Sequence, residues 1–72
     1  MKTTYRHIHF VAVYEGLNPK IKKWSCRNNK SKEEIGNIDF YATWKRFVFK
    51  GREGCVFDVG CLRDIIDFIS QL

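Results

Sequence analysis

The sequence predicts an α+β fold: an antiparallel meander of four or five strands with one C-terminal amphipathic helix packed on one face. Three observations predict it. Apolar and polar residues alternate with a period of two through short segments between Tyr5 and Phe57, as half-buried strands do. Short polar turns separate these segments, and turns of that length join antiparallel neighbours. From Cys61 to Leu72 the period becomes helical. At about 100° per residue, Cys61, Leu62, Ile65, Ile66, Phe68, Ile69 and Leu72 gather on one side, with Arg63, Asp64, Asp67, Ser70 and Gln71 on the other.

Each element follows from its residues. A first strand over Tyr5–Tyr14 puts Ile8, Phe10, Ala12 and Tyr14 on one side and His7, His9, Val11 and Val13 on the other; both sides are apolar enough to be buried, which leaves its phase open. In Glu15–Pro19, Gly16 supplies φ freedom and Asn18-Pro19 breaks the ladder, so the chain turns. A second strand over Lys20–Asn28 sets Trp24 and Cys26 against Lys23, Ser25 and Arg27. The polar run Asn28–Lys32 is a turn. A third strand over Glu34–Tyr41 sets Ile38 and Phe40 against Asn37, Asp39 and Tyr41. After the short link Ala42-Thr43, a fourth over Trp44–Lys50 sets Phe47 and Phe49 against Arg46, Val48 and Lys50. Gly51–Gly54 turns the chain tightly into a short last strand, Cys55–Phe57. Asp58 is the expected helix cap, its carboxylate accepting from the free N–H groups of the first turn.

Composition bounds what such a chain does. Its 72 residues make one small domain, spanning 1–72, near the lower limit for a single core without staples. Six Phe, three Tyr and two Trp supply that core and argue against disorder. The three cysteines are odd in number and lack CxxC spacing, so they read as reduced, mostly buried thiols. The N-terminal stretch has no signal-peptide apolar region, and no apolar run approaches the roughly 18 residues of a membrane span. The expectation is a soluble cytoplasmic protein with no membrane partner. The net charge is +5. Lys20, Lys22, Lys23, Arg27, Lys30 and Lys32 occur with no acid among them, and Lys45, Arg46, Lys50 and Arg52 follow. Such a balance favours polyanions or acidic protein surfaces.

Chemistry-bearing constellations are sparse. His7-x-His9 would place two imidazoles on one strand face, but structural zinc needs four ligands at recognisable spacing. Cys–His catalysis needs a polarised thiolate with a base in reach, and nothing in the spacing signals one. Gly51-Arg-Glu-Gly54 lacks the Lys-Ser/Thr and the helix of a phosphate loop. Neither enzymatic activity, nor a cofactor, nor a metal is expected.

Three segments, Trp24–Asn28 (WSCRN), Ile35–Phe49 (IGNIDFYATWKRFVF) and Cys61–Ile69 (CLRDIIDFI), resemble a family of small phage, prophage and bacterial proteins with no assigned biochemical activity. In that family a tryptophan strand precedes an aromatic-rich strand–turn–strand and a closing "CL-x-DI-x-x-F" helix. The resemblance implies a shared fold and a mobile-element setting in a bacterial host's cytoplasm, not a mechanism. Phe40 stands where the family often has Trp, and Lys45-Arg46 follow the second aromatic.

One helix covers only one face of a sheet. With Trp24, Ile38, Phe40, Phe47 and Phe49 toward the helix, the other face carries Lys23, Arg27, Asp39, Tyr41, Trp44 and Arg46. The expected site is Lys23, Arg27, Tyr41, Trp44 and Arg46, binding single-stranded nucleic acid through cations on the backbone and bases stacked on the rings. Against this stand two plainer readings: a solvated basic edge that discourages strand pairing, and aromatics consumed by the core. The alternative function is a protein-binding inhibitor or adaptor acting on a host protein such as a defence component, as monomer or homodimer.

Overall fold

The computed structural model describes residues 1–14 and 22–72. Four strands, β1 (Ile8–Tyr14), β2 (Lys22–Asn28), β3 (Glu34–Tyr41) and β4 (Arg46–Gly51), precede one helix, α1 (Val59–Ile69). The strands pair antiparallel in the order β1-β2-β3-β4. This is the α+β meander with a closing helix that the two sequence periods predict. The expected turn at Glu15–Pro19 and the start of the second strand, Lys20 and Ile21, lie outside the described residues.

Register fixes the two faces. Ala12, Trp24, Ile38 and Phe49 stand in one row, with Phe10, Cys26, Gly36 and Gly51 in the next. Both rows point toward α1, which settles the phase of β1. The core is Tyr5, Ile8, Phe10, Trp24, Cys26, Ile38, Ile65 and Phe68. Phe68 is its centre: wholly buried, stacked on Phe10 at 4.0 Å and edge-on to Trp24 at 5.0 Å between centroids. Gly36 is dictated by packing, since a Cβ there would collide with the Phe49 ring and crowd the Lys50 carbonyl.

Four expectations are corrected. The first strand does not begin at Tyr5. The chain reverses at Arg6-His7, with the Tyr5 N–H donating to the Ile8 carbonyl and the Phe10 N–H to the Thr3 carbonyl, so residues 3–5 run back along β1. Tyr5 is thereby carried onto the helix side, where its ring meets Phe10 edge-on at 5.9 Å. The fourth strand starts at Arg46, because Ala42–Lys45 form the turn, with Lys45 at φ 53°. Cys55–Phe57 is not a strand: it forms no ladder, and Phe57 turns back edge-on to Phe49 at 5.3 Å.

The fourth correction concerns the helix. It starts at Val59, directly after the expected cap Asp58, whose Oδ1 accepts from the Cys61 N–H at 2.8 Å. Its buried stripe is narrower than the sequence pattern, holding Ile65 and Phe68 flanked by Cys61 and Ile69. Leu62 is 46% and Ile66 64% exposed. The cause is the helix's rotation about its axis. Asp67 accepts from the Tyr5 hydroxyl at 2.6 Å, and the Gln71 amide exchanges two 2.8 Å bonds with the Lys2 backbone. These bonds hold one flank of α1 against the N-terminal segment beside β1. The opposite flank, with Leu62 and Ile66, therefore looks outward on the β4 side, the strand the helix backbone approaches most closely. At 11 residues α1 is also short, about 16 Å. The residues that follow it, Gln71 and Leu72, reach Trp24 and Phe47; Phe40, the cross-strand partner of Phe47 and expected in the core, is 54% exposed.

Candidate functional site

No described element covers the second face of the sheet. Its residues are those whose side chains alternate away from α1: His9, Val11 and Val13 on β1, Lys23, Ser25 and Arg27 on β2, Asn37, Asp39 and Tyr41 on β3, and Arg46, Val48 and Lys50 on β4. All five expected site residues belong to this face or its rim, but the face does not gather them at one point.

The strongest feature is at the β3–β4 hairpin. Tyr41 and Arg46 close its base as a cross-strand pair. Within the turn, the Trp44 N–H donates to the Tyr41 carbonyl and the Lys45 N–H to the Ala42 carbonyl, each at 3.2 Å. These bonds fold Trp44 back onto Tyr41, and the two rings meet edge to face at 5.0 Å. Trp44 remains 65% and Tyr41 40% exposed. With Val48 and Lys50 they line a shallow hollow of about 180 Å³. Lys45 and Arg46, both exposed, complete the rim. An exposed aromatic pair with cations around it offers a π-face and a place for anionic charge.

Farther along the face the cations are already engaged. Asp39 lies between Lys50 at 3.6 Å and Lys23 at 4.0 Å. At the opposite end Ser25, 1% exposed, donates to Glu34 at 2.6 Å and accepts from the Arg27 Nε at 3.1 Å. Arg27 and Arg46 thus stand at opposite ends, separated by roughly 20 Å of strand length at ~3.4 Å per residue. The structure unites Tyr41, Trp44 and Arg46, places Lys23 beside Asp39, and leaves Arg27 in a separate network. Sequence reasoning missed the parts played by Lys50, Ser25 and Glu34. Alternation put Lys50 and Ser25 on this face, and only register could add their partners. Asn37 adds a buried Oδ1 that lacks a hydrogen-bond partner among the described residues.

His7 lies in the turn before β1 and His9 within it, its Nδ1 2.7 Å from Asn29 Oδ1, so the two imidazoles do not share a strand face. Among the described residues no three His, Cys, Asp or Glu are grouped to hold a metal ion. Burial pushes the Cys26 thiol up to about 12, with Cys61 and Glu34 adding to the shift, and burial also raises Cys61. Both stay protonated, poor nucleophiles at neutral pH. The three cysteines are free thiols, Cys26 buried and Cys55 and Cys61 half-buried. No helix among the described residues is long and apolar enough to cross a membrane.

Compared with models of known protein families, with curated proteins and with solved structures, the chain gives no match.

Proposed function

We propose that this protein is a small non-enzymatic binding module that holds single-stranded nucleic acid on the uncovered face of its sheet, in the mobile-element setting its sequence motifs imply. The observation that carries the reading is the exposed Tyr41–Trp44 pair with Lys45, Arg46 and Lys50 around it. Stacking on such rings is worth about 1–3 kcal/mol per base and tolerates any base. Flanking cations neutralise phosphates and release counterions. Asp39, held between Lys23 and Lys50, moves the site toward the hairpin. Tyr41, Trp44, Lys45, Arg46 and Lys50 form its centre, with Lys23 and Arg27 at its periphery.

The test is fluorescence anisotropy of a labelled oligothymidine titrated with protein across a salt series. Binding should weaken by about 0.7 log units per log unit of salt for each phosphate neutralised, so two or three contacts give a slope near −1.4 to −2.1. Trp44→Ala with Arg46→Ala should abolish binding and leave the far-ultraviolet dichroism unchanged, since both side chains are exposed. Binding that ignores salt, or survives the double substitution, would refute the reading.

A further inference from the structure

The two edges of the sheet are finished differently. The β1 edge is occupied over Ile8–Phe10: residues 3–5 run beside it, with the Phe10 N–H donating to Thr3 and the Ile8 carbonyl accepting from Tyr5. At the other edge, among the described residues, β4 pairs with β3 alone. Which of its backbone groups are free follows from the ladder. The Arg52 N–H donates to the Ile35 carbonyl, which makes that pair a hydrogen-bonded one. In an antiparallel ladder such pairs alternate with non-bonded ones. Arg46, Val48 and Lys50 therefore point their backbone groups at β3. Phe47, Phe49 and Gly51 point theirs outward.

The same parity sorts the side chains. Phe47 and Phe49, which carry the outward N–H and C=O groups, have half-buried rings on the helix side. On the same side of the sheet lie Phe57, edge-on to Phe49 at 5.3 Å, the exposed ring of Phe40, 5.4 Å from Phe47, and α1 with its exposed Leu62 and Ile66. Arg46 and Lys50 stand on the opposite face of β4, with Lys45 and Arg52 at its ends. The open edge is therefore apolar on one side and cationic on the other.

We propose that β4 accepts an extended segment of a partner protein as a fifth strand, one alternating acidic with apolar residues. Its backbone would pair with Phe47 and Phe49. Its apolar side chains would fall beside Phe47, Phe49 and the Leu62–Ile66 flank, and its carboxylates beside Arg46 and Lys50. Backbone bonds of this kind supply affinity, and the alternating side chains supply specificity. Charge weighs against a second copy of this chain in the registers that pair most of β4. Antiparallel self-pairing centred on Val48 sets Arg46 opposite Lys50 twice, and centring on Phe49 sets it opposite Arg52 twice. Like charges directly opposite destabilise a strand pair.

The test is backbone amide exchange by NMR, on the isotopically labelled protein, with three capped peptides alternating Glu with Val, Lys with Val, and Glu with Ser. The Glu–Val peptide should slow exchange at Phe47 and Phe49 by at least about tenfold and change Val48 much less, since Val48 already bonds to β3. The Lys–Val peptide should give no protection, and the Glu–Ser peptide little. Leu62→Ser with Ile66→Ser, both exposed, should weaken the peptide effect and leave oligonucleotide binding unchanged. Trp44→Ala should do the reverse, so this proposal and the nucleic-acid reading fail separately. Absence of protection by the Glu–Val peptide, or equal protection by the Lys–Val peptide, would overturn it. So would edge amides that are already protected in the free protein and grow more so with its concentration, because a second copy would then be the occupant.

Discussion

Replacing Phe68 by Leu and, separately, Ile66 by Ala tests how the helix is rotated on the sheet. Both residues lie in the apolar stripe of the sequence, yet Phe68 is 0% and Ile66 64% exposed. Phe68→Leu shortens a ring stacked on Phe10 and edge-on to Trp24. It loses part of the 3–5 kcal/mol that truncation of a buried Phe to Ala typically costs, together with ring contacts worth about 0.5–1.5 kcal/mol per pair. A loss of about 2–3 kcal/mol is expected. Total stability at ~0.05–0.15 kcal/mol per residue comes to roughly 4–11 kcal/mol, so this loss is severe and still leaves a measurable transition. Ile66→Ala removes a side chain only about one-third shielded. Full burial of an Ile is worth up to about 3 kcal/mol, so the loss should be about 1 kcal/mol or less. Urea unfolding, followed by tryptophan fluorescence and by far-ultraviolet dichroism, gives both values. Equal losses at the two positions would refute the rotation that the Tyr5–Asp67 and Lys2–Gln71 bonds impose.

Three further outcomes follow from single contacts. Gly36→Ala should cost about 1–3 kcal/mol in the same assay, because its Cβ would overlap the Phe49 ring; a neutral effect would mean that ring is free to move. The Cys61 N–H bond is the main cause that lowers the Asp58 pKa below the ordinary aspartate value, so the cap's stabilisation is present above that value and is lost as pH falls through the depressed one. The melting temperature of Asp58→Ala should therefore lie below the parent's at neutral pH and converge with it as the pH falls through the depressed pKa; a constant gap would refute the cap. Asp39→Asn releases Lys23 and Lys50 from their shared carboxylate, so oligonucleotide affinity should rise and its salt slope steepen by about 0.7 for each cation that gains a phosphate; unchanged binding would place the ligand elsewhere.

The period-two pattern made strand identity and facing legible, because a pleat sends neighbouring side chains to opposite faces wherever the strand lies. It could not say how far a covering element reaches. Phe40 has the parity of a core residue and is exposed, although its cross-strand partner Phe47 meets the chain just after α1. Leu62 and Ile66 fit the helical stripe, but rotation about the axis is set by bonds to Lys2 and Tyr5, more than 60 residues away in sequence. Tyr5 did carry a signal. In a continuous strand it shares parity with His7 and His9, opposite Ile8 and Phe10, so its burial beside Phe10 demands a reversal between them. No Gly, Pro or Asn marks that reversal at Arg6-His7, which is why alternation ran through it.

The candidate site shows why counting charges and locating them are different operations. A net charge of +5 reads as a uniformly basic sheet, and alternation does put Lys23, Arg27, Arg46 and Lys50 on one face. Alternation puts Asp39 there too, and the third strand lies between the other two, within reach of a lysine from each. At the far end Arg27 donates to Ser25, which in turn donates to Glu34. A carboxylate between two ammonium groups leaves one of their two positive charges uncancelled. What survives is the positive charge with no carboxylate paired to it among the described residues, at Lys45 and Arg46, and it coincides with the two exposed rings of the hairpin. Both the nucleic-acid reading and the strand-docking reading therefore converge on β4 and its turn, and they share Arg46 and Lys50.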